Sequence, residues 1–383
     1  MLSLALFTRN SLAAQAIEQV VHEADLFRLA AVLSPETSVH ESLKTLSMRD
    51  PELILADLAD WQLLAPLLKA TQETRLRARW IGFAPDWSGG QQFDLFRAGV
   101  TQLVREPFGP ADLEKAAFQA FHESEPPMRP GLWAFLPSKA GGGCSTLVLN
   151  TAGALQQQLR RDVLVIEADA RSGSISILMN LAPGMPIHEA LERAAEMTPL
   201  EWQKFQVALG GVHILPADPA KPGRLPSWAD YHHLLRFLDN RYSYILVDLP
   251  EVVNDATAEV VRRAENVFVV CTPEIPSLKM SDIRCQDLIH RGVPRERIRL
   301  LVTRFKRDDM SIRDVEKNLG WPVYATLAND YRSVRSSILE SRLVSSDSAF
   351  GKDCRALAQM LSGTAEAPAP VGALGRLSRL IAK

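Results

Sequence analysis

The sequence predicts an α/β protein of two doubly wound parallel-sheet domains in tandem. Three observations carry that expectation. Over residues 1–122, short apolar runs alternate with helix-patterned stretches. At 122–131 the pattern is interrupted by HESEPPMRPG, proline-rich and without apolar periodicity, which reads as a linker over 123–131. From 132 a second, longer series begins with an apolar run, a glycine-rich turn and a helical pattern.

Composition sets the frame. With 383 residues, 46% hydrophobic and 23% charged, the chain is an ordinary globular protein able to bury sizeable cores. A net charge of −2 provides no electrostatic footprint for nucleic acid, which is not an expected partner. Cys144, Cys271, Cys285 and Cys354 lie far apart with no C-x-x-C pair, which argues against a disulfide framework or zinc site and fits a reducing cytosol. The start, MLSLALFTRNSLAAQA, lacks a basic n-region and reads as a first strand rather than a signal peptide. No run approaches the roughly 18 apolar residues of a membrane span.

In the first domain, strands are expected at LSLALF (2–7), FRLAAVL (27–33), ELILADL (52–58), ARWIGFA (78–84) and TQLVRE (101–106). Helical patterns follow at 11–23, near 38–47, and at 60–72, 91–98 and 110–122. Asp57 closes the third strand and AGVTQLVREPF (98–108) closes the fifth. These landmarks resemble a response-regulator receiver domain, in which an aspartate after the third strand accepts a phosphoryl group. Its chemistry needs magnesium-holding carboxylates after the first strand, but Thr8-Arg9-Asn10 stand there. Ala84 replaces the expected hydroxyl, and Glu106, followed by Pro107 and Phe108, replaces the expected lysine. A degenerate receiver used for docking or dimerisation is expected, with Asp57 a vestigial phosphoacceptor exposed at a strand end.

The second domain is organised around LWAFLPSKAGGGCSTLVLNTAGAL (132–155). Leu132 to Leu136 reads as a strand, Ser138 to Gly143 as a glycine turn, and Leu147 to Leu155 as helix. Backbone N–H groups at such a helix start can face an anion, and glycines allow close approach. Cys144 stands where the pattern G-x-x-x-x-G-K-[ST] has lysine. Further strands are expected at DVLVIEADA (162–170), VHILPA (212–217), YSYILVDLP (242–250), NVFVVCTPE (266–274) and IRLLVTRF (298–305). Asp248, at the end of its run with Pro250 beyond, stands where P-loop proteins place the Walker B aspartate.

The succession Lys139-Ala-Gly-Gly-Gly-Cys-Ser-Thr146, EAD (167–169), VDLP (247–250) and LVTRF (301–305) resembles the deviant Walker A ATPases of the ParA/MinD group. SIRDVEKNLGWPVYATLANDYRSVRSSILESRLV (311–344), together with the receiver-like first domain, is similar to the Tad/Cpa proteins that localise the assembly machinery of Flp-type (type IVb) pili. The resemblance covers roughly residues 1–362. It implies a P-loop domain of the SIMIBI/MinD type over 132–362, ATP and Mg²⁺ as cofactors, and a homodimer working with pilus-assembly proteins.

Residue by residue, the resemblance makes Lys139 the signature lysine that reaches a dimer partner's phosphates. Gly141, Gly142 and Gly143 are the cradle, with Cys144 and Thr146 beside it. Ser145 ligates Mg²⁺, Asp248 stands behind the metal, and Asp169 is the switch I aspartate near the attacking water. Thr303, with Arg304 beside it, stands where the family often has an adenine-binding asparagine. Three departures weaken the site: Cys144 for lysine, Ala140 for glycine, and Glu167 for the first aspartate of D-x-D. The resemblance leaves room for nucleotide binding with weak or absent hydrolysis, or for a vestigial site on a dimerisation scaffold, alongside two alternatives. One is a fully active MinD-like switch or another positioning or partitioning protein. The other is thiol chemistry at Cys144, because a helix N-terminus can lower a cysteine pKa.

After a flexible stretch at 363–372, ALGRLSRLIAK (373–383) gathers Leu374, Leu377, Leu380 and Ile381 on one helical face, with Arg376, Arg379 and Lys383 elsewhere. Such a basic amphipathic tail suits an anionic membrane interface or a partner. A cytoplasmic protein, peripheral at the inner membrane or cell pole, is the corresponding expectation.

Overall fold

Strand β1 (Leu2–Phe7) is buried along its whole length and pairs in parallel with β2 (Phe27–Leu33) on one side and β3 (Leu53–Asp57) on the other. With β4 (Arg79–Ala84) and β5 (Gln102–Arg105) the sheet order is β2-β1-β3-β4-β5, the flavodoxin-like winding expected from five consecutive strand-helix repeats. Its helices are α1 (Ser11–Glu23), α2 (Val39–Arg49), α3 (Trp61–Glu73), α4 (Gly89–Ala98) and α5 (Pro110–His122). Local signals set several ends. Ser38 and Ser88 cap α2 and α4, the latter in a reciprocal box with Gln91, and Gly99 ends α4 at a φ of 110°.

The computed structural model describes residues 1–74, 76–122, 131–181, 184–221, 223–306 and 311–364. They divide into two units, 1–126 and 127–383. The expected linker, apart from Gly131, and the basic tail at 373–383 lie outside the described residues, as does 365–372 of the expected flexible stretch.

The second unit holds strands β6 (Leu132–Pro137), β7 (Val163–Glu167), β8 (Val207–Leu209), β9 (Val212–Leu215), β10 (Tyr244–Asp248), β11 (Asn266–Cys271), β12 (Ile298–Phe305) and β13 (Val323–Ala328). They form one sheet in the order β13-β12-β11-β6-β10-β7-β9-β8, parallel except where β8 meets β9. Around the sheet run α6 (Cys144–Leu159), α7 (Ile175–Leu178), α8 (Ile187–Arg193), α9 (Pro199–Trp202), α10 (Trp228–Leu238), α11 (Asp255–Arg263), α12 (Ile275–His290), α13 (Ile312–Leu319), α14 (Tyr331–Leu339) and α15 (Ala349–Leu361).

Strand β6 shows how the core is built. Its alternating side chains serve two faces: Leu132, Ala134 and Leu136 enter one buried cluster, Trp133 and Phe135 the other. Both faces are apolar because helices cover both, as parallel sheets require. Phe135 stacks on Phe268 at 5.0 Å between centroids, and the Trp133 indole N–H donates to Glu265 Oε2 at 3.2 Å. Truncating Phe135 to alanine would cost about 3–5 kcal/mol.

Two strands go beyond the sequence expectation. The edge strand β8 turns into β9 through Gly210 and Gly211, both at positive φ, which suits a tight hairpin. Strand β13 extends the other edge within the segment 311–344. The expected strands at 162–170, 242–250 and 266–274 end sooner, at Glu167, Asp248 and Cys271. Their last residues are loop, and that is where the cleft opens. Among the described residues no helix is long and apolar enough to cross a membrane.

Candidate functional site: a glycine cradle floored by carboxylates

Strand β6 lies between β10 and β11, at the point where the winding reverses direction, and ligands of open α/β sheets bind at that crevice. Here the chain leaves β6 through residues 138–143 and enters α6. Gly141 and Gly143 have φ of 76° and 87°. A Cβ at either would meet open space, so glycine is needed for the left-handed backbone rather than for room. Gly143 caps α6 without a side chain, and the N–H groups of Gly143, Cys144, Ser145 and Thr146 have no partner among the described residues. Uncapped donors at the start of a 16-residue helix form an anion cradle.

The loop is braced from several directions. The buried Thr303 hydroxyl lies 2.7 Å from the Gly142 carbonyl and 3.0 Å from that of Cys271. Arg304, itself at a φ of 52°, donates through Nη2 to the Gly141 carbonyl at 2.6 Å. The Gly142 N–H turns back to the Lys139 carbonyl at 3.3 Å. The Ala140 N–H donates to Glu251 Oε2 at 3.0 Å, and Arg284 holds the other oxygen of that carboxylate at 3.4 Å. Asn150 on α6 bonds the Thr146 carbonyl and accepts from the Val344 N–H, tying the helix start to the chain ahead of α15.

A cleft of about 470 Å³ opens over this loop. Gly141 to Thr146 line it, together with Asp169, Gly173, Asp248, Glu251 and Arg304. The charges on its wall are three carboxylates and one guanidinium. Lys139 is exposed at the head of the loop.

Asp248 is buried at the end of β10, with the Ser145 hydroxyl and the Cys144 thiol beside it. Burial raises its carboxyl to about 6, those two neighbours pull it back, and the charge of Asp169 adds to the rise. Glu167, register partner of Asp248 on the adjoining β7, accepts from the Ile175 N–H at 2.7 Å and the Ala217 N–H at 2.8 Å. Burial lifts it to about 7 against those two bonds. Glu167 thus pins the segment after Asp169 to the end of β9. Asp169 accepts from the Ser172 N–H at 2.9 Å, folding its own loop into a turn at the cleft wall.

Cys144 does not support thiol chemistry. It is 5% exposed, and burial and the neighbouring charge of Asp248 push its thiol well above the usual cysteine range. The helix N-terminus does not prevail over burial beside a carboxylate. All four cysteines are free and buried.

In the first unit, Asp57 is half-buried rather than exposed. Its Oδ2 accepts from the Thr8 hydroxyl at 3.1 Å, and its Oδ1 accepts from the Ala59 N–H at 3.0 Å. The aspartate caps the short helical turn that follows β3. Glu106 lies close enough for the Asp57 charge to add to the rise that burial imposes on its carboxyl.

A P-loop of this shape implies a nucleotide phosphate with Mg²⁺, and the residues present fit that group. The orphan amides suit phosphate oxygens, and Ser145 with Asp248 offers the hard oxygen donors that Mg²⁺ selects. Among the described residues, no set of three or more His, Cys, Asp or Glu side chains could hold a metal without phosphate oxygens and water.

No protein-family model matches the chain. MinD, the septum site-determining protein of Thermotoga maritima, is 27% identical over 168 residues, which cover 44% of this chain and 62% of that protein. Among solved structures, a ParA family ATPase from Chlorobium tepidum superposes with a TM-score of 0.55 at 18% identity, covering 60% of this chain and 97% of that one. The second unit has the fold of the ParA/MinD P-loop ATPases. MinD of Pyrococcus horikoshii complexed with Mg-ADP has a TM-score of 0.50 at 18% identity, over 63% of this chain and all of that one.

Against the ParA/MinD pattern, the structure gathers Gly141, Gly142, Gly143, Cys144, Ser145, Thr146, Asp169, Asp248 and Arg304 around one cleft. It places Thr303 beneath the loop as a brace, and Lys139 at its exposed head. Glu251 and Arg284 go beyond the residues singled out from sequence. The available signal was a carboxylate directly after Pro250, three residues beyond Asp248.

Proposed function

We propose that this chain is a MinD/ParA-like positioning protein whose second unit binds Mg·nucleotide and hydrolyses it feebly or not at all. The observation that supports this best is the pairing of an intact, uncapped glycine cradle with a shortened, neutral side chain at position 144. The cradle retains its backbone donors and its Ser145–Asp248 pair, the groups this reading needs for phosphate and metal. Cys144, buried beside Asp248, contributes no fixed cation to the phosphates, and phosphoryl transfer depends on such charge stabilisation.

Lys139 would serve a second copy. It heads the loop on the exposed side, and in this reading it reaches the partner's phosphates when two chains face each other. Nucleotide then acts as a dimerisation signal. The first unit, with Asp57 engaged as a cap, would be a docking or dimerisation module.

A narrower role, localising the assembly machinery of a Flp-type pilus, is supported by the first unit preceding the P-loop domain and by the segment 311–344. Mass measured by light scattering with and without Mg·ATP tests the general reading. A nucleotide-dependent shift from monomer to dimer, lost in Lys139→Ala, is expected. An unchanged mass at millimolar nucleotide contradicts it.

A further inference from the structure

The head of the phosphate loop already holds an anion of the protein's own. Glu251 Oε2 accepts the Ala140 N–H at 3.0 Å, and the carboxylate forms part of the cleft wall. Its other oxygen is gripped by Arg284, which reaches in from α12 at 3.4 Å. Arg284 is largely buried, and its Nε has no partner among the described residues. Glu251 follows Asp248 by three residues and lines the same cleft as Asp169 and Asp248. In a P-loop the Walker B aspartate stands by the metal and the outer phosphates, whereas the helix-start amides cradle the inner phosphates.

We propose that Glu251, positioned by Arg284, is a specificity determinant that makes the cleft prefer a nucleoside diphosphate to a nucleoside triphosphate. The inference rests on the nucleotide reading of the cleft and adds its selectivity. A diphosphate uses amides from Gly143 to Thr146 and leaves Glu251 in place. Glu251 must release Ala140 before that amide can serve a third phosphate, and two like charges otherwise meet at the loop head.

Calorimetry of the full chain with Mg·ADP and with a non-hydrolysable Mg·ATP analogue tests this in wild type, Glu251→Ala and Glu251→Gln. The expected wild-type preference for the diphosphate is about tenfold, the scale of one hydrogen bond to a charged group. Glu251→Ala should abolish the gap by tightening the triphosphate while the diphosphate changes little. Glu251→Gln, which retains an acceptor for Ala140 without the charge, should narrow it. Equal wild-type affinities, or a gap that survives in both variants, overturn the selectivity and leave the nucleotide reading standing. No binding of either nucleotide to any of the three proteins overturns both.

Discussion

The thiol of Cys144 lies beside the buried carboxylate of Asp248, bringing the first residue of α6 to the last residue of β10. A lysine at 144 would carry a cation toward the phosphate side of the loop. Cysteine is too short and stays in the floor. In the proposed nucleotide site, phosphate affinity then depends on backbone amides, and hydrolysis lacks its central charge.

Cys144→Lys should therefore strengthen binding. A charge-assisted contact contributes about 1.5–3 kcal/mol, so Mg·ATP affinity should rise roughly tenfold to a hundredfold by calorimetry. An unchanged affinity would mean that the loop amides are not where phosphate sits.

Stability should depend on pH through two buried acids. Burial raises Glu167 from 4.5 to about 7 and Asp248 from 3.8 to about 6. Between about pH 4 and 7 the folded chain keeps protons that the unfolded chain has released, so these groups' contribution to stability falls as pH rises through that window. The slope is at most about 1.4 kcal/mol per pH unit for each group. Thermal unfolding from pH 4.5 to 8 should show a shallower decline for Glu167→Gln than for wild type.

Thr303→Val removes the hydroxyl under the loop and leaves two buried carbonyls, of Gly142 and Cys271, without it. A loss of about 1–3 kcal/mol in urea unfolding is expected, with weaker nucleotide binding as the loop loosens.

Gly143→Ala tests the backbone alone, since a methyl group there meets no neighbour. The left-handed φ should cost about 1–2 kcal/mol of stability. Nucleotide binding should fall further than the melting temperature suggests, because the strain is relieved by reorienting the cradle amides.

Asp57 should behave as a cap and not as a phosphoacceptor. Incubation with acetyl phosphate and Mg²⁺ should add no mass to the first unit. Asp57→Ala should cost about 0.5–2 kcal/mol through loss of the bond to Ala59.

Much of this architecture is legible in the sequence because the central strands are buried on both faces. LSLALF and LWAFLP read as strands without any partner in view, and the glycine turn before Cys144 announces the start of α6. The hidden parts depend on distant contacts. Strand β8 is three residues at an edge, too short for its pattern to stand out. The roles of Thr303 and Glu251 come from hydrogen bonds spanning 161 and 111 residues, which local patterns do not encode. Cys144 shows the other limit. Its position at a helix start suggests a reactive thiol, and only the neighbouring Asp248 and the depth of burial reverse that expectation.

The most direct test of the nucleotide-controlled switch is calorimetric titration of the full chain with Mg·ATP, with mass followed in the same samples and Lys139→Ala alongside. Saturable binding coupled to dimerisation, with dimerisation lost in the variant, is the predicted result. No heat and no change of mass at millimolar Mg·ATP would contradict it, leaving the P-loop fold as a scaffold alone.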